Sequence, residues 1–119
     1  MTIKECYAAL NGNYEEATLR LMNDKLIERF MLKFPADNSI TILRDAIAAQ
    51  DWATAFRGAH TLKGVAANLA FSQLQADASE LTEQLRDCAT PADPALVAKV
   101  EASYDQVIAA IREYEAQKQ

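Results

Sequence analysis

Histidine is almost missing from this chain of 119 residues, which carries a single one, His60. Its two cysteines, Cys6 and Cys88, lie far apart without CxxC partners among helix-forming residues, so no disulfide framework is encoded and both are expected as buried, reduced thiols. One imidazole and two separated thiols leave no metal-ligand spacing, and no metal site is expected. Three glycines and three prolines are too few for an all-β protein rich in tight turns. A formal charge of −5 with no block of Lys or Arg repels a phosphate backbone, which argues against nucleic acid as a partner. No apolar run approaches the roughly 20 residues that span a bilayer, so no membrane segment is expected. The opening MTIKECYAAL lacks the parts of a signal peptide, and a cytoplasmic location is expected.

What is present is ordinary globular composition, 50% apolar and 24% charged, enough for one domain over residues 1–119 with its own core. Helix breakers cluster in NGN at 11–13, FPADNS at 34–39 and CATPADP at 88–94, and the stretches between them have helical period. The spacing predicts a short helix from about Thr2 to Leu10 and a long one from about Tyr14 to Lys33, with Leu19, Met22, Leu26 and Phe30 as its apolar stripe. Asp37 or Ser39 caps a third helix and Asp51 a fourth that runs to about Leu69. Ser72 begins a fifth, with Leu74, Ala78, Leu81, Leu85 and Cys88 on one face, and Asp93 caps a sixth; the final EAQKQ is expected to fray. Short connections between amphipathic helices favour an all-α, antiparallel up-down bundle with smaller helices at one end. One apolar stripe per helix sets the expectation of a monomer.

On a wheel advancing about 100° per residue, Ala55, Gly58, Ala59, Leu62, Val65, Ala66 and Leu69 collect opposite His60, which therefore points outward. Its own side carries Ala53, Phe56, Arg57, Lys63, Gly64 and Ala67. That is an unusual solvated face, since such faces carry Glu, Lys and Gln; it reads as a docking surface, or as a bland face whose Phe56 tucks into a neighbouring helix. Gly64 costs the helix about 0.5–1 kcal/mol relative to alanine, and it opens space one turn from the imidazole. Lys63 can lay its ammonium beside an anion on the ring. A phosphoryl group on an imidazole nitrogen needs both that room and that cation. The bland alternative is a surface histidine beside a tolerated glycine and a solubilising lysine. With no nucleophile and orienting acid beside His60 there is no triad, and with no glycine-rich phosphate loop the chain is not a kinase by itself.

AFRGAHTLKGVAANLAFSQL resembles the signature A-H-x-L-K-G-x-A-x-x-L of histidine-containing phosphotransfer domains of bacterial and plant phosphorelays, and the likeness extends over about Ala17 to Leu85. The resemblance implies a four-helix up-down bundle with one or two short additional helices. It also implies His60 as phosphoacceptor, Lys63 as the cation that neutralises the phosphoryl group, and Gly64 as the small residue admitting a partner's active site. The partners it implies are receiver domains of response regulators or of a hybrid sensor kinase, with Mg²⁺ expected in the receiver and no cofactor in this chain. Ala53, Phe56, Arg57 and Ala67 are then the docking residues around His60. Many members of that family have glycine at the position of Ala70, so the turn after the active helix is expected to differ in shape. The start at Met1 and the polar final helix set the expectation of a free-standing carrier. Its rivals are the phosphoacceptor domain of a larger sensor or chemotaxis-type kinase, a receiver-binding scaffold that does not transfer, and a purely structural bundle.

Overall fold

A computed structural model describes residues 1–118, and those residues are all-helical. Seven α-helices follow one another among them: α1 (Ile3–Ala9), α2 (Tyr14–Leu21), α3 (Asp24–Lys33), α4 (Ser39–Ala48), α5 (Trp52–Asn68), α6 (Ser72–Gln84) and α7 (Pro94–Gln117). A 3-10 turn, Phe34–Ala36, ends α3. The starts follow from local chemistry. Thr2 and Glu5 form a reciprocal capping box, and Asn13, Asn23, Asp51 and Asp93 each accept a backbone N–H in the first turn of α2, α3, α5 and α7.

The expected long second helix is two helices. Met22 takes φ 77° and ψ −45°, the Asn23 N–H donates to the Leu21 carbonyl in a γ-turn, and the Asn23 side chain restarts the chain as a cap. The break changes which faces are buried: Ala17, Ile27 and Met31 enter the core, while Leu19 is 84% exposed, Met22 78% and Phe30 42%. Cys88 departs from expectation as well. The last helical residue of α6 is Gln84, the Asp87 carboxylate collects the Ala89 and Thr90 N–H groups in a turn, and Cys88 is exposed with φ 58°. Only Cys6 is the buried thiol that was expected. Of the final EAQKQ, expected to fray, residues 115–117 belong to α7 and Lys118 Nζ sits 2.5 Å from a Glu28 carboxylate oxygen; Gln119 lies outside the described residues.

Consecutive helices pack on one another, α4 on α5, α5 on α6 and α6 on α7, with α1 against α7. Gly58 makes the first of these contacts possible, since a Cβ there would meet the Leu43 backbone at 3.0–3.1 Å. At the far end of α5, Tyr7 Oη donates to the Leu69 carbonyl at 2.7 Å, the Asn13 N–H donates to the Ala70 carbonyl at 2.9 Å, and the Gln73 N–H donates to Asn11 at 3.1 Å. Stacked edges and faces of Tyr14, Tyr7, Phe71, Phe34 and Tyr104 fill the space between. The first two helices are thereby locked to the turn that ends α5. That turn needs no glycine: Ala70 is buried with φ 56°, and the Phe71 N–H closes it onto the Ala66 carbonyl at 2.9 Å. Among the described residues no helix is long and apolar enough to cross a membrane.

Candidate functional site

α5 buries Ala55, Gly58, Ala59, Leu62, Ala66 and, at its end, Leu69, and it turns His60 to solvent, as the wheel predicts. Around the imidazole, Arg57 and Gly64 are exposed, while Ala53, Phe56, Lys63 and Ala67 are half-buried. The seven positions singled out in the sequence therefore share one face. Gly64 is the informative member. A Cβ built there finds no heavy atom within 4 Å, so nothing inside the molecule requires the glycine, in contrast to Gly58.

The face has two unlike flanks. Toward α6, the Phe56 ring lies nearly parallel to the imidazole, with planes 14° apart and centroids 6.0 Å apart, and the Arg86 guanidinium lies 5.5 Å from the Phe56 ring centre. Arg86 is tied to Glu83 by hydrogen bonds of 3.0 and 2.5 Å, which hold the Glu83 carboxyl below the usual carboxylate range, with a weaker pull from Lys63. Among the described residues neither Lys63 nor Arg57 forms a salt bridge; Arg57 donates to the Thr54 hydroxyl at 3.0 Å. Both cations are free to meet an incoming anion.

On the other flank, beyond Gly64, a cleft of about 530 Å³ opens where Val65, Asn68 and Leu69 of α5 face Leu21, Phe30 and Phe34, with Arg20, Lys33 and Asp37 as its charged members. Asn68 is eight residues past His60, about 12 Å along the helix axis. The exposed Leu19 and Met22 adjoin Arg20 and Leu21 in the chain. These apolar groups were assigned to the core by their spacing, so sequence reasoning missed them as surface. The signal that marks the break is Asn23-Asp24, a cap pair inside an otherwise continuous helical pattern.

Among the described residues no group of three or more His, Cys, Asp or Glu side chains is arranged to hold a metal ion. Comparison with curated proteins and with solved structures gave no match. A family model for the Hpt domain matches residues 26–110, which include all of α4, α5 and α6 and most of α7. Hpt domains carry phosphoryl groups on histidine in two-component systems, interact with receiver domains and are not kinases. The match covers more than half of the chain and includes all of α5 with its exposed His60, and this chain belongs to the Hpt domain family.

Proposed function

We propose that the chain is a cytoplasmic, monomeric phosphorelay carrier, one domain over residues 1–119, that takes a phosphoryl group from a receiver phosphoaspartate onto His60 and passes it to another receiver. The observation that carries this reading is the empty space beside Gly64, next to an exposed imidazole and an unpaired lysine. The α4–α7 helices serve as a four-helix up-down bundle; α1, α2 and α3 are three additional helices at one end of it, where one or two were expected, because the break at Met22 divides the second helix.

The neutral imidazole attacks phosphorus in line through Nε2. The new P–N bond forms as the P–O bond to the aspartate breaks and the carboxylate departs. The reverse path delivers the group to a second aspartate. Lys63 balances the charge on the transferring group, and Gly64 lets the receiver's active site reach the ring. Positioning and electrostatics supply the acceleration, as in phosphoryl transfer generally, with Mg²⁺ held by the receiver and no cofactor in this chain.

Docking extends over Ala53, Phe56, Arg57 and Ala67 and continues past Gly64 into the cleft between α5 and the α2–α3 pair. Exposed apolar side chains as large as Leu19, Met22 and Phe30 mark interaction surfaces when they group; here Phe30 lines the cleft, and Leu19 and Met22 adjoin its residues Arg20 and Leu21 in the chain.

The test is incubation of the purified protein with phosphorylated receiver domains and Mg²⁺, with His60→Gln as control. The expected result is protein-bound phosphate that survives base, is lost in acid and is absent from H60Q. Binding without transfer across a broad receiver panel would establish a scaffold instead.

A further inference from the structure

We infer that Phe56 is the positioning residue for this transfer: its ring, braced by Arg86 from the turn that follows α6, sets the plane in which the His60 imidazole presents its reactive nitrogen. The inference rests on the reading of His60 as phosphoacceptor.

A histidine with a chemical role usually has one ring nitrogen pinned by a carbonyl or carboxylate, which fixes the tautomer and the direction of the other. His60 has no such partner, for among the described residues it makes no hydrogen bond. Its χ2 is then governed by a broad, two-fold torsional profile unless packing narrows it. Phe56, one turn earlier on α5, supplies that packing through rings 14° from parallel at 6.0 Å.

Phe56 is itself restrained. It is half-buried against the core, and its ring is covered by the Arg86 guanidinium at 5.5 Å, in a cation–π contact. Arg86 is held in turn by both Glu83 oxygens, at 3.0 and 2.5 Å. The order is thus Glu83, Arg86, Phe56, His60, running from α6 to the reactive ring. Gly64 lies on the opposite flank of His60 and presents nothing. The imidazole consequently has a wall on one side and an opening on the other, and an incoming phosphorus is directed to the open side. A residue that only docked the receiver would be felt in association; one that orients the nucleophile is felt in the chemical step, even for a donor with no docking surface.

Phosphoramidate is such a donor: its P–N bond breaks as the bond to His60 forms, and ammonia leaves with the proton. Phe56→Leu should lower the phosphoramidate rate about tenfold, with Phe56→Tyr restoring it, and should lower kcat with a phosphorylated receiver beyond any rise in KM from the docking area that is lost. Upfield ring-current shifts of the His60 ring protons should be present in the wild type and F56Y and absent from F56L. Phe56→Met serves as a second non-aromatic variant should F56L fold poorly. An unchanged phosphoramidate rate in F56L, or a loss confined to a raised KM, overturns the positioning role while leaving His60 as carrier. A wild type that takes phosphate from neither donor overturns the carrier reading itself.

Discussion

Gly58 and Gly64 both sit inside α5, yet an added methyl group meets different surroundings at the two positions. At Gly58 it would press on the Leu43 backbone at 3.0–3.1 Å, and at Gly64 it would touch nothing within 4 Å. Gly58→Ala should therefore destabilise by about 1–3 kcal/mol as α4 is pushed from α5. Gly64→Ala should stabilise by about 0.5–1 kcal/mol, the usual gain of alanine over glycine in a helix. Chemical denaturation of the two variants checks both signs. Gly64→Glu should fold as well as the wild type and fail to transfer, because bulk and negative charge then occupy the approach to the ring; normal transfer by G64E would show that the receiver docks elsewhere. His60, Lys63 and Gly64 were legible as a group because i, i+3 and i+4 positions share a helix face whatever the tertiary structure. The parallel setting of Phe56 and the cover from Arg86 were not, since they depend on where α6 lies.

At the scale of elements, the least legible feature was the break between α2 and α3. Leu19, Met22, Leu26 and Phe30 keep helical spacing across it, so periodicity alone reads one continuous helix; a γ-turn at Met22 and a cap at Asn23 intervene. A non-glycine residue in that conformation stores roughly 1–3 kcal/mol of strain, and strain of this kind gathers at functional sites. Met22 is 78% exposed, so its side chain returns little packing within the molecule. Met22→Gly should consequently raise stability by about 1 kcal/mol. It should also weaken receiver binding, measurable by calorimetric titration, because the variant removes an apolar group from the proposed docking margin. Stabilisation with unaltered affinity would remove Met22 from that margin. The end of α5 carries the same lesson in milder form: Ala70 adopts φ 56° without glycine because the Asn13 N–H and the closing Phe71 N–H hold the turn from both sides.

Over the whole molecule, the all-helical class and the helix starts at Thr2, Asn13, Asp51, Ser72 and Asp93 could be read from caps and breakers, which act over three or four residues. How the N-terminal helices lean on the rest could not, because that is decided by long-range groups. Cys6 of α1 is fully buried between Met31 sulfur at 3.7 Å and the Ala110 carbonyl at 3.5 Å; Tyr7 reaches Leu69, and Tyr114 of α7 donates to Glu28 of α3. Burial pushes the Cys6 thiol from 9.0 up to about 11 and the Tyr114 phenol up to about 12, the latter helped by Glu28, and it raises Tyr7 further in the same direction. Each group is an acid whose folded pKa exceeds its unfolded value, so above pH 9 the folded state holds more protons than the unfolded one. Their contribution to stability is complete below that pH and declines as pH climbs through 11. The tie between α1, α3 and α7 should thus fail in alkali, with the unfolding free energy falling steadily from pH 9 upward. Cys6→Ala should lower stability at neutral pH by about 1 kcal/mol through the lost sulfur contacts. It should also flatten the alkaline decline between pH 9 and 11 by up to about 1.4 kcal/mol per pH unit, the share of one proton. Urea unfolding at a series of pH values reads both effects. An alkaline slope that is the same in wild type and C6A would mean that the thiol ionises without resistance in the folded protein and that α1 is held less tightly than its contacts imply.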